Sequence, residues 1–368
     1  MNQILREIER CHKESVNLAI ATVVAVRGSA PHPPGTKLTV ASDGATVGAV
    51  SGGCIEGQVI ETAERVIEGA PTEILTFDAG IDDVIEQGLT CGGEVEILVE
   101  RCDDPLQVKF ASLAGSDERA ALVSVIDTLG RITGRVLISP NRKPQSSGAL
   151  WPEALEQATR VGEQKLWGTG SVLLEAGDQR LFVDLNSPAT RLLIVGAVEL
   201  ARALCVVAIG LGWRVTVCDP RSRFATADRF PGAEVVAAWP SEAVLSAAGI
   251  DGSAAVAVLT HDQKIDDLAL ELALASPAAY VGALGSRGTQ QKRHARLSER
   301  GTSEEAMSRL AAPIGLDIGA TSTPEMALSI AAEIVAVLHQ HQGGRLVSGS
   351  GQIHAASEAT RISVAPAQ

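Results

Sequence analysis

The chain reads as an α/β protein of two parts: an N-terminal α+β domain followed by a C-terminal Rossmann-like parallel-sheet domain. Three observations predict this. Its 368 residues exceed one ordinary core and suit two domains. From Arg191 onward, short and nearly continuous apolar runs (192–195, 214–217, 234–237, 254–259, 279–281) alternate with helical patterns, as buried parallel strands and their crossover helices do. Upstream, strand-like runs come instead in pairs joined by turn residues. Asn186-Ser187-Pro188 punctuates the change, so the boundaries are set at 1–188, 189–342 and a polar tail, 343–368.

Each element has its own signal. Residues 3–14 place Ile4, Leu5, Ile8 and Cys11 on one helical stripe. Residues 18–26 form an apolar, β-branched run that reads as a buried strand, and 28–35 form a Pro/Gly-rich loop. Ser42-Asp43-Gly44 separates two strand-like runs, a hairpin signal. Ile55, Val59, Ala63, Val66 and Ile67 recur at helical spacing. Residues 72–77 and 94–100 read as strands, the latter with Val95, Ile97 and Val99 on one face. Residues 121–129 and 132–139 predict a hairpin, 141–148 a surface loop, 171–176 and 181–185 two more strands, and 324–341 a final helix. No internal repeat is legible.

Composition excludes several function classes. Hydrophobic residues make up 45% and aromatics 3%, so the core is aliphatic. A net charge of −13 argues against a nucleic-acid or anionic-membrane partner. Six cysteines without a C-x-x-C pair suit neither a disulfide framework nor a zinc ribbon. The charged N-terminus lacks a signal-peptide core and no apolar run reaches membrane-spanning length, so a cytoplasmic protein is expected, with a homodimer as the default assembly.

Two glycine-framed cysteines concentrate the chemistry: Ser51-Gly52-Gly53-Cys54 and Cys91-Gly92-Gly93. Cys54 falls at or just before a helix N-terminus, where free N–H groups and the helix dipole favour a thiolate. The alternative is a small buried thiol beside a turn. In the second domain, Gly196-Ala197-Val198-Glu199-Leu200-Ala201 is a damaged dinucleotide fingerprint: Gly196 and Ala201 fit, while Val198 stands where a second glycine should admit a pyrophosphate. Asp219 stands where a carboxylate binds a ribose hydroxyl, and Arg221 and Arg223 follow. Past later strands come Thr260-His261-Asp262, Gly285-Ser286-Arg287 and Pro313–Ala320 with Asp317; loops at carboxyl strand ends converge on the ligand crevice, and Arg287, Lys292 and Arg293 add positive charge there.

Together these motifs resemble the XdhC/CoxI family, accessory proteins of molybdenum hydroxylases such as xanthine dehydrogenase and CO dehydrogenase. The matching segments are 27–35 (with Gly28 and Ser29), 48–56, 89–93, 219–221, 260–262, 282–287, 313–320 and 324–330, spanning about residues 15–340. The resemblance implies a cofactor-insertion chaperone without turnover of its own. Such a chaperone binds the molybdenum cofactor and delivers it to an apo molybdenum hydroxylase, in cooperation with a cofactor sulfurase. Cys54 and Cys91 are then candidate molybdenum ligands, since soft thiolates suit that metal. Arg27, Lys37 and the glycine loops are candidates for the pterin phosphate. The family usually opens its Rossmann domain with Gly-x-Gly-His; here Val198 and Glu199 replace the second Gly and the His, which puts nucleotide binding in question. The competing reading is an NAD(P)-dependent oxidoreductase built on Gly196 and Asp219.

Overall fold

The computed structural model describes residues 2–28, 30–77, 93–116, 118–168 and 170–348. The chain divides into two compact units between Pro188 and Ala189.

The first unit begins with α1 (Asn2–Glu14), β1 (Leu18–Arg27), β2 (Lys37–Ala41), β3 (Thr46–Gly48), α2 (Glu56–Ile67), β4 (Glu73–Phe77) and β5 (Glu94–Arg101). It continues with α3 (Pro105–Gly115), β6 (Ala120–Ile126), β7 (Ile132–Ile138), β8 (Gln145–Gly148), α4 (Pro152–Lys165), β9 (Val172–Ala176) and β10 (Gln179–Asn186). The two runs are the same fold written twice. Each is αβββαββ, and the antiparallel sheets have orders β3-β2-β1-β5-β4 and β8-β7-β6-β10-β9. The repeat corrects the sequence reading. It was illegible because the second copy contributes helices α3 and α4 and a polar edge strand, β8, where the sequence predicts only a surface loop. β8 carries exposed Gln145 and Ser146 and is fixed by its pairing with β7 rather than by hydrophobic alternation.

Register makes the equivalence residue by residue. Thr22 pairs with Lys37 as Ser124 pairs with Arg135, and Ile20 pairs with Glu100 as Leu122 pairs with Asp184. One face of each sheet packs on its own helix: Ala19, Val23, Ile97 and Val99 with Val59 and Ala63 of α2, and Ala121, Val125, Leu181 and Val183 with Ala158 and Val161 of α4. The opposite faces meet through Val24, Leu98, Ile126, Leu173 and Phe182. Beside that contact, α1 and α3 each cover part of their own sheet.

Polar contacts across the halves are reciprocal, as a two-fold relation requires. Lys37 Nζ lies 2.6 Å from Asp184 Oδ2. Its counterpart Arg135 pairs with Glu100 and lies 3.1 Å from Asp104 Oδ2. Where equivalent positions meet each other, Glu96 Oε2 faces Arg180 Nη1 at 2.6 Å.

The second unit comprises β11 (Arg191–Val195), α5 (Glu199–Gly210), β12 (Arg214–Cys218), β13 (Glu234–Val236), α6 (Glu242–Ala247), β14 (Ala255–Val258), α7 (Gln263–Ala275), β15 (Tyr280–Ala283), α8 (Arg287–Glu299), α9 (Glu304–Ser308), β16 (Leu310–Ala311) and α10 (Thr323–Leu338). Its parallel sheet has order β13-β12-β11-β14-β15-β16, the doubly wound 3-2-1-4-5-6 arrangement. Helices α5 and α10 cover one face, and α6, α7 and α8 the other. The predicted Rossmann-like fold is what forms, with a short sixth strand, Leu310-Ala311, that two residues could not announce. Among the described residues, no helix is long and apolar enough to cross a membrane.

Candidate functional site

Strand pairing gathers the motif loops of the first unit. β1 ends at Arg27 opposite Glu94, β2 starts beside it at Lys37, β3 ends at Gly48 opposite Leu38, and β4 ends at Phe77 opposite Val95. The connections 28–36, 49–55 and 78–93 therefore all leave the same end of the first sheet. In the second repeat the equivalent connections are tight: 127–131, 149–151 and 177–178. Ser29, Cys91 and Gly92 lie outside the described residues; Gly93 is buried at the start of β5 and Gly28 is exposed with φ +80°.

Cys54 is exposed and stands two residues before α2. The loop holding it is closed by a residue the sequence reading passed over. Glu56, the first residue of α2, folds back so that Oε1 accepts the Ser51 N–H at 2.8 Å and Oε2 accepts the Ser51 hydroxyl. Ser51 Oγ also accepts the Gly53 N–H at 3.2 Å and lies 3.6 Å from Cys54 Sγ. Partial burial raises the Glu56 pKa, but the Ser51 hydroxyl and the Ser51 and Gly53 amides outweigh it and hold the carboxyl below its usual range. Gly53 has φ +106°, a conformation only glycine adopts readily, while a side chain at Gly52 would enter open space. The available signal was the spacing in Ser-Gly-Gly-Cys-Ile-Glu, which lets the first helical carboxylate reach its own loop.

The two cations expected to meet a phosphate are already engaged. Arg27 Nη1 donates to Glu94 Oε1 at 2.6 Å, its direct strand partner. Lys37, with its side chain 10% exposed, is bound by Asp184 and donates to the Gly35 carbonyl at 3.1 Å. This corrects the expectation: both sit in charge pairs that stabilise strand ends. Above Lys37 opens a cleft of about 880 Å³, walled by Pro33, Pro34, Gly35, Gly48, Ala49 and Ser171.

In the second unit every sequence-selected residue stands at the carboxyl edge of the parallel sheet: Gly196 after β11, Asp219 after β12, His261 after β14, Gly285, Ser286 and Arg287 after β15, and Asp317 after β16. Gly196 has φ +110°, and a Cβ there would come 2.5 Å from Thr260 Cγ2, so the loops after β11 and β14 abut. His261, Ser286, Arg287 and Asp317 are exposed, and Ser286 caps α8 by accepting the Thr289 N–H at 3.3 Å.

Three expectations for this edge need correction. Asp219 is fully buried and its oxygens are saturated: Oδ1 accepts the Arg221 N–H and Nε–H, both at 2.9 Å, and Oδ2 accepts the Ala197 N–H at 2.8 Å and Arg221 Nη2 at 2.7 Å. It pins the glycine turn to β12 instead of meeting a ribose. Burial raises its pKa, but those donors prevail and lower it. Val198 packs against the apolar core and does not project outward, and Glu199 is held 2.7 Å from Arg202. Arg293 is buried, donating to Asp266 Oδ2 and the Leu284 carbonyl, both at 3.1 Å, so it adds no free charge to the edge. Exposed Arg287 and Lys292 remain.

A duplicated antiparallel domain with glycine–cysteine loops, followed by a doubly wound domain with a degenerate phosphate turn, defines the class, and the comparisons agree. Residues 192–334 match the XdhC Rossmann domain, and residues 11–78 match the XdhC and CoxI family. The chain belongs to the XdhC and CoxI family. It is 26% identical over 323 residues to a Bacillus subtilis protein named as a probable xanthine dehydrogenase component, covering 86% of this chain and 92% of that one. It is 28% identical over 337 residues to the molybdenum cofactor insertion chaperone PaoD of Escherichia coli, covering 90% and 87% respectively. A solved structure from Bacillus halodurans, described as a xanthine dehydrogenase, shares the fold at TM-score 0.61 and 22% identity, over 94% of this chain and 98% of that one.

Proposed function

We propose that this protein binds the molybdenum cofactor and hands it to an apo molybdenum hydroxylase, acting as a carrier and not as a catalyst. One observation carries the reading: similarity over nearly the whole of both chains to a relative named for molybdenum cofactor insertion. The chemistry of the first unit supports it. An exposed thiol on a loop closed by Ser51 and Glu56 is a soft donor free to meet a bulky metal centre, and Cys91 is the second candidate donor. The cofactor is cargo here, so its site must both hold and release it, which suits an open strand end better than a sealed cavity. The client hydroxylase and a cofactor sulfurase are the partners this role requires.

The test is molybdenum and pterin content after anaerobic purification from a cofactor-producing host. Wild type should carry both, and Cys54→Ser/Cys91→Ser should lose most of the metal with its fold intact. Equal content in wild type and double mutant would remove the thiolate site; no content in either would remove the carrier reading.

The competing reading, an NAD(P)-dependent oxidoreductase, draws on the 3-2-1-4-5-6 strand order. The saturated Asp219 carboxylate weighs against it. Titration calorimetry with NAD and NADP in both redox states decides it; heat of saturable binding at millimolar ligand or below would revive it.

A further inference from the structure

The two repeats of the first unit meet around a small internal cavity of about 40 Å³. Both contribute to its wall. Ile20, Thr22 and Leu98 come from the first repeat, and Leu122, Ser124 and Phe182 from the second. These are equivalent positions, since Thr22 pairs with Leu98 as Ser124 pairs with Phe182. The cavity lies where the two-fold relation brings like positions together.

Thr22 and Ser124 are out of keeping with their surroundings. The sheet faces that carry them meet through Val24, Leu98, Ile126 and Phe182, all apolar. Thr22 is 3% exposed and Ser124 4%. Neither hydroxyl has a hydrogen-bond partner among the described residues, whereas Thr39 and Thr133 in the same two sheets donate theirs to the carbonyls of Val47 and Val125. Buried hydroxyls are nearly always bonded, because leaving one unpaired forfeits its hydration without return. Here both copies of the repeat place one on the wall of the same cavity.

Three more polar groups on that wall have bonds to give. Lys37 Nζ directs two of its three N–H groups to Asp184 Oδ2 and the Gly35 carbonyl. Gln107 Oε1 accepts the Asp104 N–H at 3.3 Å, which leaves its amide N–H groups. Glu100 meets Arg135 through Oε2, which leaves Oε1.

This set selects its occupant by charge, polarity and size. The Glu100 and Asp184 carboxylates disfavour an anion, and the Lys37 ammonium disfavours a cation. Two hydroxyls and an amide disfavour a dry void, since empty cavities in proteins are lined by apolar groups. Size disfavours an organic molecule: a cavity that binds benzene measures about 150 Å³, whereas a water takes about 30 Å³ of liquid. Roughly one or two waters fit, each needing the two to four polar partners that the wall supplies.

We propose that this cavity is a bound-water site, in which one or two waters bridge Thr22 of the first repeat to Ser124 of the second. The same waters complete the bonding of Lys37, Gln107 and Glu100. Lys37 is the residue that ties the Pro/Gly loop, through the Gly35 carbonyl, to Asp184 of the second repeat. The site therefore joins the halves through solvent at the place where their charge pairs begin.

Crystals of wild type and of Thr22→Val/Ser124→Ala, each with and without xenon pressure, test it. Wild type should show one or two solvent peaks at about 2.7–3.0 Å from the hydroxyls and no xenon in the cavity. The double variant should lose at least one of those peaks. Melting gives a second readout from Thr22→Val alone, which keeps the branched shape and removes the hydroxyl. With water bound, this variant should melt about 2–4 °C below wild type, having lost a water-mediated bond. A hydroxyl facing a dry void would instead be replaced at no cost or with a gain. Xenon in the wild-type cavity, density for any other ligand, the two hydroxyls bonded directly to each other, or Thr22→Val melting at or above wild type would each overturn the proposal.

Discussion

The two repeats of the first unit share strand order, register and buried charge pairs, yet they spend their connections differently. In the second repeat the links at the equivalent sheet end are turns of a few residues. In the first they are the Pro/Gly loop, the Ser51–Cys54 loop and the segment leading to Gly93. All the cysteines of the first unit precede residue 105, and the second repeat has none. One copy keeps the scaffold with tight turns; the other carries the long connections and the cysteines on the same scaffold.

The largest effects should come from what the copies share. Arg135→Ala leaves Glu100 and Asp104 as buried charges without their partner, and a loss of about 3–5 kcal/mol is expected in urea unfolding. Lys37→Ala should cost a similar amount through Asp184. The double variant Arg135→Met/Glu100→Leu should recover only part of that loss, because it removes the desolvation cost of those two charges but still leaves Asp104 without its partner. A Lys37 variant that unfolds like wild type would break the equivalence of the halves.

A smaller penalty, roughly 1–3 kcal/mol, is expected for Arg180→Glu, which sets two carboxylates against each other where the halves meet. Exchanging the charges with Glu96→Arg/Arg180→Glu should recover only part of it, since Arg27 Nη2 lies 3.7 Å from Glu96.

The next contrast concerns the helix starts. α2 begins with the Glu56 clamp, whereas its counterpart α4 begins at Trp151 with no side-chain cap bond. Because the folded Glu56 pKa is depressed, its stabilisation is complete above the ordinary value of 4.5 and is lost as pH falls through the lower folded value. Amide exchange at Gly53, followed downward from pH 5, should therefore lose its protection and approach the intrinsic rate. Glu56→Gln should show that loss of protection at every pH, with a cost of about 1 kcal/mol. Unaltered Gly53 exchange in Glu56→Gln would remove the clamp.

The smallest effect on stability should accompany the largest difference in reactivity. Cys54 is exposed and should label at once in the native protein, whereas burial pushes the Cys11 thiol up to about 11 and the Cys102 thiol up to about 12, so both should wait for unfolding. Cys54→Ser should change stability by less than about 0.5 kcal/mol. Native labelling of Cys102 ahead of Cys54 would invert the assignment.

Sequence carried the parallel domain well, because its buried parallel strands are mostly apolar and four of the six are followed within two residues by a Gly, Asp or Thr that marks the edge: Gly196, Asp219, Thr260 and Gly285. It carried the first strand of the first copy for a related reason: Leu18–Arg27 is apolar along most of its 10 residues, with Ile20, Thr22, Val23, Val24 and Val26 β-branched. It lost the second copy because α3 and β8 have weak periodicity and depend on tertiary partners. Among candidate site residues, those defined by local geometry, such as Gly196 and Cys54, were legible. Those whose role turns on a distant partner were not: Asp219 reads as a ligand-binding carboxylate until Ala197 and Arg221 are seen to fill its oxygens.

The meeting of Glu96 with Arg180 has a consequence for identity. Two copies of the first half would still join Lys37 to Glu100, and two of the second Arg135 to Asp184, so the reciprocal bridges cannot tell self from other. Only the place where a position faces its own counterpart can, since it would bring glutamate against glutamate or arginine against arginine. The halves therefore recognise each other as different at a single address, and the peptide that links them keeps together a pair that neither half could replace with a copy of itself.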